Sequence, residues 1–456
     1  MIKFGTDGWR AILGKDFTDA NVERVTLAIG KYVYETFGFD KLILVGYDPR
    51  NKADFYAKMC AEILAKCGFK VKLSKNVLPT PVLAYNAKLL NASAIMFTAS
   101  HNPPEYLGMK YIPDYAGPAT SEITDKIVSN IDCEFEFGTA QEVEIFDFAP
   151  AYYEHLKTLI DYKKIKELKT NIIFDGLYSA SIGYFDEILN LNDIKYDSLH
   201  MEHDVNFGGG MPDPKPKYLQ ELIDRVKSIP NSVGLANDGD ADRFGVINEN
   251  GEYVSPNEVI AILLKYLKEK RAFSGAVVKT VGSSLVIDLV AKALDVKVIE
   301  TAVGFKHVGE AMRLNEVIIG GEESGGLSIL GHIPEKDGLI ANLLILEAMA
   351  STGKALVELQ KEIQEIGGKF FTDRIDLKKS DAEEIKSVLS MFKGFEKIGK
   401  FEITAKDLKD GVKIMLGEAS KILVRPSGTE PLLRIYFETD SAEKLVELKN
   451  EVMNIL

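Results

Sequence analysis

Four short polar segments of this chain gather residues able to do phosphate and metal chemistry. The first, TASHNP, follows the apolar run 92–97 and sets Thr98, Ser100, His101 and Asn102 beyond the carboxyl end of a strand, where open α/β sheets bind ligands. Ser100 is the natural nucleophile there, although Ser, Asn and Pro also make ordinary polar turns. His101 could cap or solvate the same turn; neighbours on an extended chain point apart, so it need not activate Ser100 as a triad histidine would. The second segment, NDGDADRFG, lies between the apolar stretches 233–236 and 244–247. Its carboxylates Asp238, Asp240 and Asp242 repel one another unless a cation neutralises them, which a hard divalent metal would do; a solvated acidic turn is the alternative. In the third, GGEESGG (320–326), Glu322, Glu323 and Ser324 suit vicinal hydroxyls, or simply form a glycine-rich turn. The fourth, RPSGTEP (425–431), offers Arg425, the hydroxyls of Ser427 and Thr429 and the amides around Gly428 as a dianion cradle, or a plain hairpin turn.

Other motifs are excluded or weakened. The DxDxD spacing matches the start of a calcium EF-hand, with Glu249 at the twelfth position, but Arg243 stands where that loop requires Gly and its flanks read as strands. A strand-ending DxDx is similar to haloacid-dehalogenase phosphatases, in which Asp238 would be the nucleophile; their pattern prefers Thr or Val where Asp242 stands. No Gly-Lys pair is followed by Ser or Thr, so there is no Walker A loop, and no glycines satisfy GxGxxG. Three cysteines, Cys60, Cys67 and Cys133, are too few and too irregular for a disulfide framework or a CxxC metal site.

The elements that position these loops follow from periodicity. Thr18 is a candidate N-cap for a helix with Val22, Val25, Ile29 and Val33 on one face, and the run 42–45 reads as a buried strand. A helix with Phe55, Met59 and Ile63, a strand at 69–73, a helix after Pro81 and the run 92–97 continue the alternation of a largely parallel sheet. Strand, polar turn and helix recur at 172–175 with GLYSAS and at 276–279 with TVGSS, consistent with three related α/β domains. Alternation in FFTDRIDL, KILVRP and LLRIYFE predicts an antiparallel α+β domain at the end. The fold class is therefore α/β, three similar mixed α/β domains plus a C-terminal α+β domain. Boundaries are expected near Ala149, Gly251 and Gly367, dividing the chain into 1–149, 150–251, 252–367 and 368–456. The stretch EFEFGTAQEVEIFDF before the first boundary reads as an edge strand.

At 456 residues the chain exceeds what one core serves. Its formal charge of −13, with 55 Lys plus Arg against 68 Asp plus Glu, argues against a general nucleic-acid or anionic-lipid surface. Any anionic ligand must be caught locally. The first residues, MIKFGTDGWR, lack a basic region followed by an apolar core, and no run of about 18 apolar residues occurs, so a cytoplasmic chain without a membrane span is expected.

Taken in order, FGTDGWR, TASHNPPEY, DGDADR, TAVGFK, GEESGG and RPSGTEP resemble the motifs of the α-D-phosphohexomutase superfamily, which includes phosphoglucomutases and phosphomannomutases, over the whole chain. The resemblance implies four domains around a central active-site cleft, each supplying one loop. Ser100 would be a phosphoserine and, with Asp238, Asp240 and Asp242, would hold Mg²⁺. Arg10 and Arg243 would add stabilisation, and Lys110 would be general acid or base, its proton loosened by nearby cations. His101 would orient the phosphoserine loop. Glu322 and Ser324 would read sugar hydroxyls; Arg425, Ser427, Gly428 and Thr429 would grip the non-transferred phosphate; Lys279, Gly304 and Lys306 would line the cleft. The implied reaction interconverts hexose 1-phosphate and hexose 6-phosphate through a bisphosphorylated sugar, with glucose 1,6-bisphosphate as activator and small-molecule sugar phosphates, not nucleic acid or membrane, as partners. The sugar loop, with Gly326 where other members carry His, favours glucose over mannose, with glucosamine or pentose phosphate as alternatives. One departure is Leu107-Gly108, where the family carries Asn-Gly.

Overall fold

In a computed structural model the described residues are 2–5, 8–134, 136–378, 381–426 and 432–456. The first sheet is built from β1 (Phe4–Gly5), β2 (Gly8–Ile12), β3 (Ile43–Tyr47), β4 (Val71–Ser74), β5 (Ser93–Phe97), β6 (Tyr106–Ile112) and β7 (Val143–Phe146), in the order β1-β2-β6-β5-β3-β4-β7. Only β5, β3, β4 and β7 run parallel. Strands β6, β2 and β1 are added antiparallel, which corrects the expectation of a largely parallel sheet. Helix Asp19–Phe37 starts at Thr18, whose side chain accepts from the Asn21 amide, and buries Val22, Val25, Ile29 and Val33 as anticipated. In helix Ala53–Cys67 the buried face is instead Ala53, Tyr56, Ala57, Cys60, Ala61 and Leu64. Phe55 is half exposed, because small residues let this helix pack closely on its neighbour whereas a face of Phe55, Met59 and Ile63 would hold it off.

The second sheet has β8 (Asn171–Asp175), β9 (Asp197–Leu199), β10 (Ser232–Asn237), β11 (Phe244–Ile247) and β12 (Tyr253–Val254), ordered β12-β11-β10-β8-β9. The third has β13 (Ala276–Thr280), β14 (Val298–Thr301), β15 (Val317–Gly321) and β16 (Leu327–Ile329), ordered β14-β13-β15-β16. Each repeats the plan of the first. Parallel strands form the centre, and the last of them turns back through a hairpin into an antiparallel strand: β5 into β6, β10 into β11, β15 into β16. The three chemically loaded loops are the turns of those hairpins.

The C-terminal sheet is antiparallel throughout, with β17 (Phe371–Lys378), a small ribbon of β18 (Lys397–Ile398) and β19 (Phe401–Glu402), then β20 (Ala405–Asp407), β21 (Val412–Met415), β22 (Lys421–Pro426) and β23 (Leu432–Thr439). Its strands β22 and β23, which flank the rest of the RPSGTEP segment, pair antiparallel. Between the second and third sheets lies helix Gly338–Thr352, which packs on β10, β11 and β16 and whose residues 338–349 are all buried. A helix apolar on every side has to be enclosed. Asp337 caps it by accepting from the Leu339 and Ile340 amides, and its Asn342 side chain donates to the Ala236 carbonyl at the end of β10. The apolar cluster around it runs without a break from Leu44 to Ile363. Among the described residues, no single helix is long and apolar enough to cross a membrane.

Candidate active site

Ser100 sits in the β5–β6 turn with φ 53°, a left-handed conformation uncommon for a residue with a Cβ. Its amide bonds to Thr98 Oγ1 at 2.8 Å. Because the backbone is not extended there, the His101 ring swings back until Nδ1 lies 3.3 Å from Ser100 Oγ, closer than the extended-chain argument allowed. The turn is pinned from below by the buried Arg50, whose guanidinium donates to the carbonyls of Ser100 (2.6 Å), Asn102 (2.6 Å), Pro103 (2.8 Å) and Tyr106 (3.1 Å) and is braced by Asp48. Arg10 reaches the same loop through Asn102 Oδ1 at 2.8 Å. Beneath it, a Cβ on Gly108 would stand 2.5 Å from the Trp9 carbonyl, so strand β6 accepts only glycine there; Leu107 points into the apolar core.

The loop carrying Asp238, Asp240 and Asp242 meets this turn directly. Ser100 Oγ donates to Asp238 Oδ2 at 2.7 Å, and a Cβ on Gly239 would lie 2.4 Å from the Ser100 carbonyl. Asp238, Asp240 and Asp242 are fully buried, and one oxygen from each falls within 4.8 Å of the others. Asp238 Oδ1 accepts from the Arg243 amide at 3.0 Å, Asp240 Oδ2 from Thr80 Oγ1 at 2.6 Å, and Asp242 Oδ2 lies 3.2 Å from Lys336 Nζ. Lys110 Nζ donates to Asp240 and Asp242 at 2.8 and 3.0 Å, so two carboxylates stand beside the ammonium. Burial first, then the charges of Asp240 and Asp242, hold the Asp238 carboxyl well above the ordinary range. Asp242 Oδ1 is buried without a hydrogen-bond partner among the described residues. Crowded, buried, all-oxygen donors with an unused lone pair fit a hard divalent cation such as Mg²⁺. Around them, Arg243 first, then burial, then Arg10 push the His101 imidazole well below its usual value, keeping it neutral at neutral pH.

The GGEESGG loop docks on the aspartate loop, the Phe244 amide donating to the Gly325 carbonyl at 3.1 Å. Glu322 Oε1 accepts from the Gly304 amide at 2.9 Å, and Ser324 Oγ lies 3.5 Å from Oε2. Burial, then Glu323, raises the Glu322 carboxyl to about 7. Glu323 is bonded by Thr280 Oγ1 at 2.8 Å, which ties the loop to β13. Lys306 leaves this neighbourhood to bond Ser121 Oγ of the first domain at 2.8 Å. Lys279 is wholly buried and held by Asp288 and, at 3.3 Å, by Glu300. Arg425 pairs with Asp410 at 3.2 Å. Ser427, Gly428 and Thr429 lie outside the described residues. Arg50, Thr80, Lys336 and Asp410 escaped the sequence reading. Arg50 was within reach, since YDPRN follows β3 at the same carboxyl edge; the others become visible only through contacts between domains.

The chain matches four domain patterns described as phosphoglucomutase/phosphomannomutase domains: alpha/beta/alpha domain I over residues 1–136, domain II over 150–251, domain III over 255–366, and the C-terminal domain over 374–455. A phosphoglucosamine mutase of Methanocaldococcus jannaschii is 30% identical over 453 residues, covering 98% of this chain and 96% of that protein. A phosphoglucomutase/phosphomannomutase of Thermococcus kodakarensis is 28% identical over 450 residues, covering 97% and 96%. The crystal structure of a provisionally named phosphomannomutase from Thermus thermophilus superposes with a TM-score of 0.88 at 32% identity, covering 100% of this chain and 98% of that one.

Proposed function

Since the chain belongs to the phosphoglucomutase/phosphomannomutase family of α-D-phosphohexomutases and is an intramolecular phosphotransferase, we propose that it interconverts glucose 1-phosphate and glucose 6-phosphate through a phosphorylated Ser100. The observation that carries this reading is the 2.7 Å contact of Ser100 Oγ with the buried carboxylate triad. A sugar hydroxyl oxygen attacks the phosphorus of phosphoserine; the bond to Ser100 Oγ breaks as the new P–O bond forms, and the resulting bisphosphate turns over and returns its other phosphoryl group to the serine. Asp238, Asp240 and Asp242 would hold Mg²⁺ beside the phosphoserine. When bound, that ion would spread the charge developing on the transferring group.

Arg10 and Arg243 flank the transferring oxygens, and neutral His101 holds the Ser100 turn. Lys110, anchored on two of the three carboxylates, would pass a proton to or from the sugar oxygen. Glu322 and Ser324 would take the sugar hydroxyls in both orientations, with Gly304 and Lys306 at the edge of the same loop. Arg425, with Ser427, Gly428 and Thr429, would grip the phosphate that is not transferred. Glucose 1,6-bisphosphate would activate the enzyme by loading Ser100.

A second reading, glucosamine phosphate, is favoured by the phosphoglucosamine mutases among the relatives and by the carboxylate of Glu322, which would receive an amino group. Mannose and pentose phosphates complete the panel. In such a panel, Ser100→Ala is expected to abolish interconversion of every sugar that the parent protein accepts. Substantial retained turnover would sink the proposal, and stoichiometric release of free phosphate would point to a hydrolase acting through Asp238.

A further inference from the structure

Two arginines face each other across the C-terminal sheet. Arg425 on β22 is the register partner of Arg434 on β23, and the Nε atoms of both lie buried with no hydrogen-bond partner among the described residues. Like charges placed directly opposite destabilise a sheet unless an anion lies between or beside them. Asp376 on β17 stands in register with Arg434, and a different carboxylate meets Arg425. Asp410 Oδ2 lies 3.2 Å from Arg425 Nη2, and the same oxygen accepts from the Val303 amide of the third domain at 3.0 Å. The next amide, Gly304, is held by Glu322. Two consecutive peptide groups therefore join the carboxylate on Arg425 to the carboxylate proposed to read the sugar.

The position of Asp410 is set by its backbone. It precedes Gly411, which has φ 85° and no room for a Cβ, since one would stand 2.2 Å from the Val424 carbonyl next to Arg425. The turn is clamped on the strand that carries the arginine, so the carboxylate stays beside the guanidinium. Carboxylate and phosphate share the geometry that guanidinium recognises, but a dianion supplies more charge and more acceptor oxygens.

From this arrangement we infer that Asp410 is a positioning residue that holds Arg425 in place of the substrate's non-transferred phosphate and gives it up when that phosphate arrives. This rests on the proposed role of Arg425. It assigns Asp410 a part in turnover: the bisphosphate must release one phosphate from Arg425 and offer the other, and between the two Asp410 keeps the arginine aimed and the last domain tied to the sugar loop through Val303.

Asp410→Asn keeps an acceptor for the Val303 amide and removes the charge that competes with phosphate. On the full-length, dephosphorylated protein, calorimetric titration with inorganic phosphate and with glucose 1-phosphate is expected to show about three- to tenfold tighter binding in Asp410→Asn, the range of a partly exposed ion pair. Arg425→Ala is expected to weaken binding, and Asp410→Asn is expected to gain nothing in that background. A purely structural aspartate would give equal or weaker binding in Asp410→Asn while Arg425→Ala still loses affinity, and that result overturns the inference. If Arg425→Ala binds phosphate as well as the parent protein, the role of Arg425 fails and the inference falls with it.

Discussion

At the scale of single residues, Glu322 titrates where the enzyme would work. Its carboxyl is raised to about 7 by burial and by Glu323, so it is protonated below neutrality and ionised above it. Only the ionised form makes charge-assisted bonds to sugar hydroxyls. The expected result is that kcat/KM rises with pH through about 7, and that Glu322→Gln removes this limb while leaving the ionisation of the substrate phosphate. Stability moves the other way. The folded state binds this proton more tightly than the unfolded chain, so the contribution is full below the ordinary carboxylate range and is lost as pH climbs through about 7. Melting temperatures measured from pH 5 to 8 should therefore fall less steeply for Glu322→Gln than for the parent protein. The residue types that do this chemistry were legible because each loop carries an unusual local density of one kind: three aspartates in five positions, or an arginine beside two hydroxyls. Lys336 was not, for it is one lysine among many until the fold sets it 3.2 Å from Asp242.

At the scale of elements, the repeated hairpin decides where chemistry can sit. A parallel strand that turns straight back puts its loop at the carboxyl edge of the sheet, and loops from neighbouring sheets can then touch. The tightest of these contacts is Gly239 against the Ser100 carbonyl. A methyl group at 2.4 Å must push the two turns apart, so Gly239→Ala is expected to lower kcat by about a hundredfold, the scale of a 1 Å misplacement, with little change in melting temperature. Steady-state kinetics beside thermal denaturation separate these effects; a fully active Gly239→Ala protein would show that the loops do not need to touch. Strand positions were readable from sequence because buried strands are short apolar runs between turn residues. The helical face of Ala53–Cys67 was not, because alanine and cysteine carry little weight in a periodicity argument, yet they form the contact when helices pack closely. Sheet direction was hidden too: the run before β6 looks the same whether the next strand is parallel or antiparallel.

At the scale of the whole molecule, the three α/β domains and the last domain are joined differently. The second and third share the enclosed helix Gly338–Thr352, and one apolar cluster runs through all three, beside a second core that belongs to the first alone. The last domain has its own core, drawn from residues 388–452, and meets the third largely through charge. Glu438 accepts from the Ser284 hydroxyl and the Leu285 amide at the start of helix Leu285–Ala293 while pairing with Lys421 at 3.2 Å, and Lys413 holds Glu300 at 2.6 Å. Polar seats of this kind suit an element that must shift to admit and turn a ligand. They also divide the protein into two cooperative units. Scanning calorimetry is expected to resolve two transitions, a smaller one from the last domain and a larger one in which the first three melt together; one sharp transition would mean that the charged seat couples the domains as strongly as shared apolar packing does. In that division, a lesion in the last domain would leave a folded body that keeps Ser100 beside its three aspartates, whereas a lesion in the enclosed helix would strike the second and third sheets together.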